Sequence, residues 1–85
     1  MSNTAFSFAA GLTRRVHRLE AEEPLFLAGQ RVMRLFYVQS GTIRLMRALG
    51  DGGTAVMQHA RANEWVAEAS LFSPTYHCDA VASEA

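Results

Sequence analysis

The chain has 85 residues, a formal net charge of zero, basic side chains that are all arginine, and one cysteine. That length holds at most one domain with a modest buried core. Dispersed arginines in a neutral chain lack the electrostatic footprint of a nucleic-acid binder, and one thiol excludes an internal disulfide and any four-cysteine zinc or iron–sulfur centre.

Taken in chain order, Thr4 to Leu12 is expected as a short helix, capped by Asn3 or Thr4 and stopped at Gly11. This gives an N-terminal segment over residues 1–14. It lacks a basic leader and a long apolar run, so it reads as neither a signal peptide nor a membrane span. From Val16 onward the pattern is β: Val16 to Leu19, Leu25 to Leu27, Leu35 to Val38, Thr42 to Arg47 and Thr54 to His59. Pro24, Ala28-Gly29-Gln30, Ser40-Gly41 and Gly50-Asp51-Gly52-Gly53 separate these runs and supply the positive-φ positions of tight turns. Ile43 and Leu45 point to one face of their strand and Arg44 and Met46 to the other, as in a half-buried antiparallel sheet. The fold class expected over residues 15–85 is therefore all-β, an antiparallel β-roll or jelly roll.

The order Phe26-Leu27-Ala28-Gly29-Gln30, Leu35-Phe36-Tyr37-Val38-Gln39-Ser40-Gly41-Thr42-Ile43-Arg44-Leu45, a glycine-rich hairpin, and then Ala67-Glu68-Ala69-Ser70-Leu71-Phe72 resembles the cyclic-nucleotide-binding effector domain of the Crp/Fnr family of bacterial transcription regulators. The resemblance runs from about Arg15 to Ala82. It implies a β-roll with a short helix in a phosphate-binding cassette. Glu68 matches the family's ribose-binding glutamate, and Ala69 to Leu71 would present N–H groups to a cyclic phosphate. The site it implies comprises Ala67, Glu68, Ala69, Ser70 and Leu71, with His77 and Cys78 where the family places a phosphate-binding arginine. A neutral imidazole or a thiol lacks the two-pronged grip of a guanidinium, and Ala67 adds a Cβ where the family has glycine. Asn63 replaces another turn glycine, and Asn tolerates the left-handed region. Weak or absent cyclic AMP binding is the expectation.

Several residues carry more than one reading. Glu68 serves either as a helix cap or as a ligand contact. His77 and Cys78, adjacent on a strand, fall on opposite faces, one toward the core and one outside, which opposes joint metal or haem ligation. His17 and His59 read as surface or rim residues, and Trp65 as a core anchor with ligand stacking as its alternative. Arg31, Arg34, Arg44 and Arg47 read as a solvated strand face, the alternative being an anion patch.

The function expected is a ligand-sensing effector module, without enzymatic activity, cofactor or metal, that takes a small-molecule effector. In the family a final strand, a dimerisation helix and a helix-turn-helix follow the segment that ends here at Ala85. The expectation is thus an incomplete roll with no DNA binding by this chain alone, no membrane association, a cytoplasmic location, and self-association through exposed apolar surface and strand edges. A cupin-like metal-dependent roll is an alternative that needs His-x-His, which the sequence lacks. A non-functional or interaction fragment that keeps only the core is the other.

Overall fold

The computed structural model describes residues 3–9, 14–32, 34–66 and 74–83. Among these, eight strands appear: β1 (Asn3–Ala9), β2 (Arg14–Leu19), β3 (Pro24–Phe26), β4 (Arg34–Ser40), β5 (Thr42–Ala48), β6 (Thr54–Arg61), β7 (Trp65–Val66) and β8 (Asp79–Ala82). They form two four-stranded sheets, ordered β2-β1-β4-β7 and β3-β8-β5-β6, and every named strand pairing is antiparallel. This is the all-β roll expected from the alternation of apolar and polar residues. No described residue is helical.

The N-terminal helix expected over Thr4 to Leu12 is corrected: residues through Ala9 form β1, and the rest of that stretch lies outside the described residues. The cassette helix expected at Ala69 to Leu71 also lies outside them. The reason for β1 is its period of two. Asn3, Ala5 and Ser7 are fully buried while Thr4, Phe6 and Phe8 alternate with them on the other face. Thr and Phe favour strands, and this strand finds hydrogen-bonding partners on both sides, pairing Ala5 with His17 of β2 and with Val38 of β4.

The core lies between the sheets. Phe26, Phe36, Val38, Ile43, Leu45, Ala60, Val66, Tyr76, Ala80 and Ala82 form one buried cluster, with Leu19, Leu25, Val32 and Cys78 packed against it. On β5 the inward pair is Ile43 and Leu45, as the sequence pattern requires. The turns also fall where glycine was expected. In the β5–β6 hairpin Leu49 N donates to Gly53 O at 2.8 Å and Gly53 N to Asp51 Oδ1 at 2.9 Å, with Gly52 at φ 90°.

Two polar residues of β1 are buried with partners. Asn3 Oδ1 accepts from Thr42 N at 3.0 Å and Nδ2 donates to Leu19 O at 3.2 Å. Ser7 Oγ accepts from Arg34 Nε at 2.7 Å and lies 2.7 Å from His17 Nε2. The Ser7 hydroxyl has one proton and two acceptor lone pairs, so while it accepts from the guanidinium, which only donates, it can pair with either tautomer of His17. Burial, with Arg34 and then Arg15 nearby, holds the His17 imidazole below its usual range.

The first prediction concerns Asn3. Asn3→Ala removes both hydrogen bonds and leaves Thr42 N–H and Leu19 C=O without them, so chemical denaturation should show a loss of about 2 kcal/mol. A loss below about 0.5 kcal/mol, within the range of surface substitutions, would contradict the role assigned to it. The second concerns pH. Because the folded-state pKa of His17 lies below the unfolded value, its stabilising contribution is complete above the unfolded pKa of about 6.5 and is lost as pH falls through the lowered folded pKa. Denaturation midpoints of the wild type should fall relative to those of His17→Gln between pH 7 and 5; parallel curves would rule this out.

Candidate functional site

The described residues nearest in sequence to the expected site are β7, which precedes it, and the segment entering β8, which follows it. Of the residues expected there, Ala67, Glu68, Ala69, Ser70 and Leu71 lie outside the described residues, whereas His77 and Cys78 are placed. The two ends that flank the cassette are both seated in the core. Val66 is buried opposite Phe36 on β4, and Tyr76 is buried and stacked on Phe26, ring centroids 3.8 Å apart and 13° from parallel.

The segment after the cassette is docked by backbone. Val32 N donates to Pro74 O at 2.9 Å, Tyr76 N to Gln30 O at 3.0 Å and Gly29 N to Tyr76 O at 2.9 Å, with Arg31 bridged to Thr75. The Tyr76 hydroxyl donates to Arg34 O at 2.9 Å, and burial raises its pKa, which keeps that proton in place. Asp79 fastens the same loop by accepting from Ala28 N at 2.8 Å. Gly29 sits at φ 87°, a conformation that favours glycine in this turn. On the other side of the cassette Asn63 holds φ 71°, the left-handed geometry expected of a glycine replacement, and its Oδ1 accepts from the Tyr37 hydroxyl.

His77 is exposed and Cys78 is half-buried against the core, so the two side chains divide as expected, but both lie in a bend before β8 begins at Asp79 and not on the strand expected of them. Burial, and then the Asp79 carboxylate, push the Cys78 thiol above its ordinary range, opposed by Arg47. Among the described residues no three His, Cys, Asp or Glu side chains gather as a metal-binding group.

Three side chains differ from the sequence reading. Trp65 is 42% exposed rather than a core anchor; Val66 takes the inward position, and the indole lies edge-on to Tyr37 at 5.2 Å and tilted against Phe8 at 5.8 Å. His17 is a half-buried partner of Ser7 rather than a rim residue, whereas His59 is exposed as expected. The four arginines do not form one face. Arg34 reaches Ser7 on the inner side of the first sheet, Arg44 pairs with Glu22 Oε2 at 2.7 Å on the outer side of the second, and Arg31 and Arg47 are exposed. Arg31 lies beside the segment that leads to His77 and Cys78, a proximity that the sequence did not show. Its bridge to Thr75 is long-range and leaves no local signal.

The cyclic nucleotide-binding domain family matches residues 16–85, and the chain belongs to that family. No curated protein and no solved structure matches the chain. Among the described residues no helix is long and apolar enough to cross a membrane.

The raised thiol pKa yields a kinetic prediction. At pH 8 Cys78 should react with iodoacetamide at least about tenfold more slowly than a free cysteine peptide, since both thiolate fraction and access are reduced, and at the peptide rate in denaturant. Equal rates with and without denaturant would show that the thiol does not pack as described.

Proposed function

We propose that this chain is the ligand-sensing effector module of a Crp/Fnr-type transcription regulator, acts in the cytoplasm without enzymatic activity, and binds cyclic AMP weakly or not at all. The observation that carries this reading is the division of His77 and Cys78. One is exposed and the other is packed against the core as a predominantly neutral thiol, at the positions where the family resemblance places arginine. Neither reproduces a charge-assisted fork on a phosphate.

In this reading the effector is small, and Ala67, Glu68, Ala69, Ser70 and Leu71 contact it. Anion contacts come chiefly from backbone N–H groups, aided by an exposed cation such as Arg31 at the rim. Occupancy acts on the roll through the ends of the cassette, Val66 and Tyr76, which are both buried in the core. A ligand that favours one arrangement of these ends shifts the module toward it. Specific DNA recognition belongs to another part of the parent regulator rather than to this neutral chain.

Calorimetric titration tests the proposal. Cyclic AMP should bind with a dissociation constant weaker than about 10 µM, because losing a bidentate contact to a buried anion costs on the order of 2–5 kcal/mol. His77→Arg should tighten binding by at least about tenfold, which corresponds to roughly 1.4 kcal/mol. Wild-type binding tighter than about 10 µM with no gain in the variant refutes the assignment.

A further inference from the structure

One structural fact stands apart from the ligand site. β1 precedes the family-matched residues 16–85 entirely, yet it is an inner strand of the first sheet, hydrogen-bonded to β2 on one side and β4 on the other. With neighbouring strands spaced about 4.8 Å apart, β2 and β4 bound a slot roughly 9.6 Å across, which is one strand wide. The matched segment therefore supplies the β4 wall and most of the β2 wall, from Val16 to Leu19, and a separate piece of chain supplies the filling.

The slot is selective for what fills it. At one end Leu19 C=O and Thr42 N–H engage a carboxamide, that of Asn3. At the other end His17 Nε2 and Arg34 Nε engage a hydroxyl, that of Ser7, and Arg34 Nη2 also donates to Ser7 O at 3.2 Å. Between them Ala5 is 0% exposed, so a small apolar side chain fills the buried position. A slip by one residue would turn Phe6 and Phe8 inward, and a slip by two would set Asn3 or Ser7 in the alanine position. Amide, small residue and hydroxyl at alternating positions thus form a short recognition code.

We propose that the slot between β2 and β4 is a strand-accepting binding site for this code, filled here by the chain's own Asn3–Ala9 and equally able to accept Asn3–Ala9 of a second copy. Each contact named above depends only on the strand and not on its covalent link to β2, so the same strand in trans makes the same contacts. Reciprocal exchange closes a symmetric pair of copies. Supply in cis gives an effective concentration in the millimolar range, so exchange emerges when β1 is weakened or the chain is concentrated.

The test uses the full chain carrying Ala5→Pro, which removes a ladder hydrogen bond and evicts β1. A synthetic peptide of residues 1–12 should bind this variant saturably and restore a cooperative thermal transition followed by circular dichroism. The same peptide with Asn3→Ala and Ser7→Ala should bind at least about tenfold more weakly, the loss of 1.4 kcal/mol or more expected for buried hydrogen bonds. Absence of recovery, recovery by both peptides alike, or a variant already as stable as the wild type overturns the proposal. Exchange between copies is read in the full chain with Phe6→Cys, Tyr37→Cys and Cys78→Ser, where the first two are register partners. Refolding at rising concentration should move the disulfide from within one chain to between chains; disulfides confined to single chains at every concentration overturn the exchange.

Discussion

The carboxamide of Asn3 holds the corner on which the roll is built. The chain leaves the first sheet at Ser40, the end of β4, and enters the second at Thr42, the start of β5, with Gly41 alone between them. A reversal that short needs a positive φ, and Gly41 adopts 78°. It also needs clearance, because a Cβ built on Gly41 would lie 2.9 Å from Asn3 Cα and closer still to Oδ1. The corner turns Thr42 N–H inward, where an unpaired donor would be penalised, and Asn3 Oδ1 accepts it. The inward placement of Ile43 and Leu45, and through them the pairing of β5 with β6 and β8, follows from that corner.

The parts of this fold legible in the sequence are those decided locally. β4 and β5 announce themselves by alternation, and the glycine turns by composition, because each depends on residues within a few positions. β1 was misread because a segment of Thr, Ala, Phe and Ser with a following glycine satisfies a weak helix pattern; its strand state depends on β2 and β4, the latter more than twenty residues away in sequence. Trp65 was misread for a related reason. In a strand of two residues there is no period to say which side is inward, and size alone favoured the indole although the smaller Val66 takes that place. Asn63 was readable because a left-handed turn is a property of the backbone itself, whereas His77 and Cys78 divide as expected without the strand that the expectation invoked, since β8 begins only at Asp79. The cassette residues 67–71 entered through family resemblance, which describes a site without fixing its geometry in this chain.

Some arginines of this neutral, Lys-free chain serve the fold. Three of its arginines are engaged in holding elements together: Arg34 at Ser7, Arg44 at Glu22, and Arg14, whose guanidinium lies 4.8 Å from the centroid of the Phe6 ring. Arg34 is the most consequential of these. Its side chain fixes β1, while its backbone carbonyl accepts the Tyr76 hydroxyl in the segment that leads to β8. One residue thereby links the slot of the first sheet to the stretch that follows the cassette. The Glu22 pair is exposed on the carboxylate side and contributes little by comparison.

The outer side of the first sheet accounts for the remaining exposed aromatics. Val16, Phe6, Tyr37 and Trp65 are register partners in turn across β2, β1, β4 and β7, so they form a single row spanning the whole sheet. Phe8 adds a second contact to Trp65 from β1. Cross-strand aromatic pairs of this kind each contribute on the order of 0.2–1 kcal/mol, and here they act on the very strand whose opposite face carries the Asn3 and Ser7 hydrogen bonds. The two faces impose different requirements: the inner face demands a specific register, and the outer face rewards any register that aligns the rings. Only the observed pairing satisfies both, which is why a short strand outside the family-matched segment holds one position in the sheet instead of several.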